Sequence, residues 1–255
     1  MKAAIIIPAR YGSTRLPGKA LLAETGKPLV QHVYEQALQV RRASSVVIAT
    51  DDRRIFDAVA AFGGRAVMTG AHETGSARVA EAAGAVDADI IVNLQGDEPD
   101  MDPAHVDRLI DITASGTCFA ATLACPFPKD MASDAGSPAD PSAVKAILGA
   151  KLGTGVHRAR YFTRAAPPYP RDDEGGVASP ERFFLHIGAY GFSRESLGRF
   201  AAHPPGALER AEGLEQLRIL EMGETICAGL VDTAPKGVDT RKDYDAFVRR
   251  RTQRR

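Results

Sequence analysis

An α/β fold with a doubly wound, mostly parallel sheet is what this 255-residue sequence predicts. Two observations predict it. The continuous apolar run Ala3 to Ile7, the β-branched run Ser45 to Ala49 and the segment Asp89 to Leu94 read as strands, buried as strands of a helix-covered parallel sheet must be. Helical segments separate them, and strict alternation of strand and helix builds βαβ units.

The elements follow in order. Pro28 to Val40 carries Leu29, Val33 and Ala37 on one helical face. Thr50-Asp51-Asp52 caps a helix marked by Ile55, Val59 and Phe62, which stops at Gly63-Gly64. Ala66 to Met68 is a short strand and Ala77 to Ala83 a short helix. Helix Pro103 to Thr113 and strand Thr117 to Leu123 close the first half. In the second half Pro126 to Pro141 reads as a connection, and Ala143 to Leu148 and Phe184 to Phe192 as strands. Between these strands Ala165 to Pro180 forms a long loop rich in proline and glycine, of the kind that often binds or covers a ligand. Leu208 to Met222 is a helical segment, Thr225 to Leu230 a last strand and Arg241 to Arg250 a last helix. Residues 1–125 are expected to form a nucleotide-binding part. Residues 126–255 are expected to form a smaller acceptor-binding and dimerising part that returns to complete a metal site, unless the two make one continuous domain.

Composition narrows the classes. Lysine plus arginine and aspartate plus glutamate number 32 each, so no global positive field exists to hold nucleic acid. The basic end from Arg249 to Arg255 reads as a solvated helix terminus. Cys118, Cys125 and Cys227 are odd in number and form no C-x-x-C pair. No disulfide framework or structural zinc is expected, and a reducing cytoplasm is the expected setting. The apolar run before Pro8 is too short for a signal peptide or a membrane span.

Chemistry concentrates in a few segments. Pro8 to Lys19 follows directly on the first strand. Ala9, Gly12 and Ser13 are small enough for the backbone to approach an anion, and Arg10, Arg15 and Lys19 surround that backbone with positive charge. Five residues lie between Gly12 and Gly18 instead of four, and Ala20 stands where a P-loop needs a hydroxyl, so a Walker-type ATPase is disfavoured. Gln95-Gly96-Asp97-Glu98-Pro99 follows another strand, where open α/β sheets bind ligands. Asp97 is placed to hold magnesium against phosphate oxygens, and Gln95 to bond a base or hydroxyl. Asp239, opening the last helix, is either its cap or a second metal ligand, the latter only if the fold brings it near Asp97. Thr74-Gly75-Ser76-Ala77-Arg78 is either a base or phosphate contact or a capped helix start. His186 and Tyr190 share a strand face with Gly188 between them, which leaves room for a ligand; the alternative is a satisfied core histidine. Glu209, Glu212 and Glu215 fall on successive helical turns and on that ground read as a solvated face.

Together these segments resemble the CMP-Kdo synthetases, the 3-deoxy-manno-octulosonate cytidylyltransferases. The resemblance rests on Ile6 to Lys19, Ala49 to Asp51, Val92 to Pro99, Tyr161 to Arg164, His186 to Phe192, Leu214 to Arg218 and Gly237 to Thr240, in the family's order along nearly the whole chain. It implies a nucleotidyltransferase fold, usually dimeric, and transfer of CMP from CTP to a 3-deoxy sugar acid. It also implies that Arg10, Arg15 and Lys19 hold the triphosphate, that Asp97 and Asp239 bind Mg2+, and that Arg164, His186, Tyr190, Glu209, Glu215 and Gln216 line the acceptor side. Lys19, Arg10 and Asp97 are the expected catalytic residues. One departure stands out: Ala77 replaces the family's usual acidic residue. Relatives that place CMP on phosphonates make phosphonoformate the alternative acceptor. A nucleotide-sugar-dependent glycosyltransferase and a non-catalytic nucleotide-binding regulator are the further alternatives. The glycosyltransferase reading gives no reason for the Arg10-Arg15-Lys19 cradle, and intact Lys19 and Asp97 argue against a silent regulator.

Overall fold

The computed structural model describes residues 1–13, 15–129, 136–169, 171, 177 and 179–253. The chain divides into two compact units, Met1–Ile110 with Pro235–Arg255, and Asp111–Ala234. This division differs from the one expected at residue 125, because the strand entered at Ala120 makes its hydrogen-bonded ladders within the second unit.

In the first unit β1 (Ala3–Pro8), β2 (Ser45–Thr50), β3 (Ala66–Met68) and β4 (Ile90–Asn93) form a parallel sheet in the order β3-β2-β1-β4. Ile5, Ile6, Ile7, Val47, Ile48, Ile91 and Val92 are fully buried, which is why β1, β2 and β4 read as buried strands. Burying each such side chain contributes roughly 1.5–3 kcal/mol. The helices are α1 (Leu29–Ala37), α2 (Arg53–Ala61), α3 (Gly75–Ala83) and α4 (Pro103–Ala114). Asp52 caps α2 by accepting from the Arg54 amide, as the sequence Thr50-Asp51-Asp52 led one to expect. The chain's last helix, α8 in chain order (Arg241–Thr252), returns to this unit and packs Tyr244 and Phe247 against Leu16, Leu29 and Val238. Its basic end is not simply solvated: Arg250 and Arg251 both pair with Asp100.

The second unit contains β5 (Ala120–Pro126), β6 (Lys145–Gly153), β7 (Val156–Thr163), β8 (Phe184–Ser193) and β9 (Ile226–Leu230). They run in the order β8-β5-β9-β7-β6, and only β5 and β9 pair in parallel. The expected parallel alternation therefore holds for the first unit and gives way here to antiparallel pairing. β6 also meets β8, where Lys145 stands opposite Leu185. The helices are α5 (Arg194–Ala202), α6 (Ala207–Glu212) and α7 (Gln216–Glu221). The single helical segment expected over Leu208 to Met222 is broken at Gly213, whose φ of 61° ends α6 in a left-handed turn. Parts of the expected connection from Pro126 to Pro141 and of the loop from Ala165 to Pro180 lie outside the described residues.

One cysteine expectation needs correction. Cys118 and Cys227 form a disulfide, with their Cα atoms 5.8 Å apart. The two cysteines meet although 109 residues separate them in sequence: Cys118 lies just before β5, and β9, which carries Cys227, pairs with that strand. Cys125 is free and buried, and burial pushes its thiol up to about 11. Among the described residues no helix is long and apolar enough to cross a membrane.

Candidate active site

Three loops of the first unit are tied together by backbone contacts. The loop after β1 folds on itself: the carbonyl of Tyr11 accepts from the amides of Ser13 at 2.9 Å and Gly18 at 3.0 Å. Gly18 takes φ 68°, which favours glycine, and a 3-10 turn starts at Lys19 immediately after it. The loop after β4 presses against this one. A Cβ on Gly96 would lie 2.7 Å from the Pro8 carbonyl, so glycine is required for the approach. The loop before α8 is fastened to Asp97, whose carbonyl accepts from the amide of Val238 at 2.8 Å. Thr240 is the N-cap of α8 and forms a reciprocal capping box with Asp243. The capping reading of Asp239 is thereby answered, since Thr240 does that work and leaves the Asp239 carboxylate to face Lys19.

The charges converge on one ammonium. Lys19 Nζ lies 2.5 Å from Asp97 Oδ2, 3.2 Å from the Val238 carbonyl and 3.3 Å from Asp239 Oδ1. Arg15 Nη2 reaches Asp239 Oδ1 at 2.9 Å. Arg10 is exposed and makes no hydrogen bond or ion pair among the described residues. Beside them Glu98 carries a buried Oε2 with no partner among the described residues. Burial, then the charges of Asp97 and Asp239, pushes its carboxyl up to about 8. Among the described residues no group of three or more acidic, histidine or cysteine side chains is arranged to hold a metal. The candidate donors are two carboxylates, which suits magnesium, an ion usually bound through one or two carboxylates and substrate phosphates.

Other expected nucleotide contacts have structural partners. Thr74 caps α3 by accepting from the Ala77 amide at 3.2 Å. Gly75 opens that helix close to Pro8, and the buried Ser76 hydroxyl accepts from Asn93 Nδ2 at 3.3 Å. Arg78 is buried and bonds Asp51 Oδ2 at 2.8 Å and Thr69 Oγ1 at 2.7 Å. It acts as an ion-paired brace between the β2 end and α3. Ala9 is buried, its amide extending the β1–β2 ladder to Ala49 at 2.9 Å, while Gly12 is exposed and Gln95 half-buried.

In the second unit His186 and Tyr190 lie together, ring centroids 5.5 Å apart, as their shared strand face predicts. The edge of Phe162 closes on His186 from β7 at 4.8 Å. Burial pushes the imidazole down to about 3, so it is neutral near pH 7. Glu215 Oε2 and Gln216 Nε2, at the start of α7, are buried and without partners among the described residues. Buried polar atoms are rarely left so, and these two are candidates to meet a polar ligand. Glu209 is different. Arg218 donates to both of its oxygens, at 2.7 and 2.5 Å, and the pair is buried. The solvated face expected for this glutamate is corrected: the break at Gly213 turns α7 so that Arg218 meets it. Arg164 is likewise engaged, donating from Nε to the Glu212 carbonyl at 2.7 Å and from Nη1 to the Pro141 carbonyl at 3.0 Å.

Sequence reasoning passed over Thr122, Lys145 and the part played by Glu212. Lys145 is buried and donates to the carbonyls of Asp140 and Arg164, at 2.9 and 2.7 Å. Glu212 accepts from Thr163 Oγ1 and the Arg164 amide, at 2.6 and 2.9 Å. Only their tertiary partners mark these residues out.

The chain is similar to known proteins of one family. The family described as Cytidylyltransferase matches residues 4–226. The 3-deoxy-manno-octulosonate cytidylyltransferase of Escherichia coli is 42% identical over 240 residues, covering 94% of this chain and 92% of its own. That of Geotalea daltonii is 44% identical over 258 residues, covering 98% of each. A solved structure of a CMP:2-keto-3-deoxy-manno-octonic acid synthetase complexed with CTP is 40% identical, with a TM-score of 0.88 and all of both chains covered. A UDP-glucose pyrophosphorylase complexed with UDP-glucose, 14% identical, shares the fold with a TM-score of 0.66 over 100% of both chains.

Proposed function

This chain belongs to the cytidylyltransferase family, and from that premise we propose that it transfers CMP from CTP to 3-deoxy-manno-octulosonate, releasing pyrophosphate. The observation that carries the reading is the meeting of Asp97 and Asp239 at Lys19 Nζ, with Arg15 on Asp239. Such a mixed cluster suits a triphosphate: cations face its oxygens, and acids hold the counter-cation that accompanies it.

In the reaction the anomeric 2-hydroxyl oxygen of the acceptor bonds to the α-phosphorus of CTP, the bond from that phosphorus to the α–β bridging oxygen breaks, and the hydroxyl proton passes to solvent. No covalent enzyme intermediate is required. Lys19, Arg10 and Arg15 hold the phosphate oxygens and stabilise the charge that moves onto the leaving pyrophosphate. A magnesium ion held by Asp97 and Asp239 would supply Lewis-acid shielding of those oxygens. Lys19 is a compact point charge suited to the pyrophosphate end, and the guanidinium of Arg15 to bidentate contact.

On the acceptor side, the buried unpaired Glu215 Oε2 and Gln216 Nε2 support recognition of a polyhydroxylated acid, because one accepts and the other donates. The engagement of Glu209 by Arg218 removes that residue from the argument. The names of the relatives lend no support to a phosphonate acceptor. A homodimer belongs to the same reading and rests on the family resemblance. So does a cytoplasmic setting, although the Cys118–Cys227 bond withdraws the support that cysteine scarcity gave it. Pyrophosphate release measured with CTP, magnesium and either 3-deoxy-manno-octulosonate or phosphonoformate tests the proposal. Turnover with the sugar acid alone is expected, and turnover with the phosphonate alone would reverse the acceptor assignment.

A further inference from the structure

We infer that Thr122 is a positioning residue that holds His186 as its Nε2–H tautomer, so that Nδ1 presents a lone pair and accepts a hydroxyl hydrogen bond from the acceptor. This rests on the reading of His186 as an acceptor-side residue and adds to it which kind of group His186 can meet.

The argument starts with the strand register. β5 and β8 pair in antiparallel register up to Thr122 opposite Tyr190, then resume with Leu123 opposite Ile187. Gly188 and Ala189 therefore bulge out of the ladder, and a bulge leaves backbone groups to find other partners. The Thr122 hydroxyl is that partner. Its Oγ1 lies 2.9 Å from the Ala189 carbonyl and 3.2 Å from the Ile187 carbonyl, in a buried position. A threonine hydroxyl has one hydrogen to donate, and carbonyl oxygens only accept. The hydrogen is thus committed to these two carbonyls.

His186 Nε2 lies 2.9 Å from the same Oγ1. With its hydrogen already used, the hydroxyl can only accept from the ring, so Nε2 carries the proton. The opposite choice would leave two carbonyls facing a bare oxygen at hydrogen-bond distance, the costly arrangement of unsatisfied buried polar groups. Phe162 and Tyr190 flank the ring and limit its rotation. Burial keeps the imidazole neutral, so Nδ1 stays unprotonated. A neutral Nδ1 of this tautomer has a lone pair and no hydrogen. It accepts from a hydroxyl, and it repels a carboxylate or phosphonate oxygen. The device therefore selects for a hydroxyl on the acceptor.

The test reads the tautomer apart from turnover. Long-range proton–nitrogen spectra of the whole 15N-histidine-labelled protein would be recorded, with the His186 signals assigned by their loss in His186→Gln. The expected spectrum is the Nε2–H tautomer, retained in Thr122→Ser and shifted in the near-isosteric Thr122→Val. The same Thr122→Val protein should show a KM for 3-deoxy-manno-octulosonate raised roughly tenfold, about one hydrogen bond's worth, with kcat and the KM for CTP unchanged, and Thr122→Ser should restore it. An Nδ1–H tautomer in the unmodified protein, or a Thr122→Val spectrum identical to it, overturns the inference. A shifted spectrum with an unchanged acceptor KM removes His186 from the acceptor site, which overturns the functional half while leaving the CTP chemistry standing.

Discussion

The amide of Val238 donates to the carbonyl of Asp97 at 2.8 Å, and this one backbone bond sets the separation of the two candidate metal-binding carboxylates. Neither side chain takes part in it. The two aspartates are therefore held by main chain, and the side chains are free to be altered without releasing the loops.

That separation of roles gives the first prediction. Asp97→Asn keeps the Val238 bond and should keep the fold, with a melting temperature within a few degrees of the unmodified protein. Turnover should fall by about 100-fold or more, and the magnesium dependence should move to higher concentration, because a neutral amide neither binds the ion nor balances Lys19. Pyrophosphate release over a magnesium titration measures both. Near-normal turnover at ordinary magnesium would remove Asp97 from the reaction.

Lys19 supplies the second. Its Nζ is the shared partner of Asp97 and Asp239, and its role as a point charge on the pyrophosphate end is part of the proposal. Lys19→Ala should weaken CTP by about tenfold or more while leaving CMP nearly unaffected, because CMP lacks the outer phosphates. Calorimetric titration with each nucleotide decides it. Equal losses would place the ammonium elsewhere on the nucleotide.

The buried pair Glu209–Arg218 supplies the third. Removing one member strands the other charge, at a cost of about 3–5 kcal/mol. Glu209→Leu should therefore lower the urea midpoint sharply, and the added change Arg218→Met should recover much of the loss. If Glu209→Leu left stability untouched and raised only the acceptor KM, the glutamate would be a ligand contact and not a clasp between α6 and α7.

How much of this was legible in the sequence depends on whether the signal was local. β1, β2 and β4 announced themselves because both faces are buried, and Asp52 because a cap needs only its own helix start. The capping box of α8 was also written locally, in Thr240 and Asp243, and reading it would have released Asp239 from the capping role. The convergence on Lys19 was not legible, because it depends on the Val238–Asp97 bond between distant segments. β7 was missed since the exposed Arg158 and Arg160 interrupt its apolar pattern. Glu209 was misplaced because a left-handed glycine at 213 rotates α7 out of the helical register that the spacing assumed. The Cys118–Cys227 bond joins the approach to β5 with β9, a long-range neighbourhood that no spacing rule supplies.

His32 gives the last prediction, on pH. Its Nε2 lies 2.7 Å from Thr25 Oγ1, and its ring stands edge-on to Phe247 at 5.0 Å. Burial, and then the positive charge of Arg251, pushes it down to about 4. In the unfolded chain the same histidine titrates near 6.5. Between those values the unfolded state binds the extra proton, so stability rises with pH. The contribution is complete above about 6.5 and is lost as pH falls from there towards 4. Allowing for partial exposure, the loss at pH 5 should be about 1–2 kcal/mol. Urea unfolding at pH 7 and pH 5 measures it, with His32→Gln as the control. Carboxylates titrate in both proteins and drop out of the comparison, so the fall in stability from pH 7 to pH 5 should be smaller in the variant by that amount. An identical fall in both would mean that His32 is protonated in the folded chain and that its packing against Phe247 tolerates the charge.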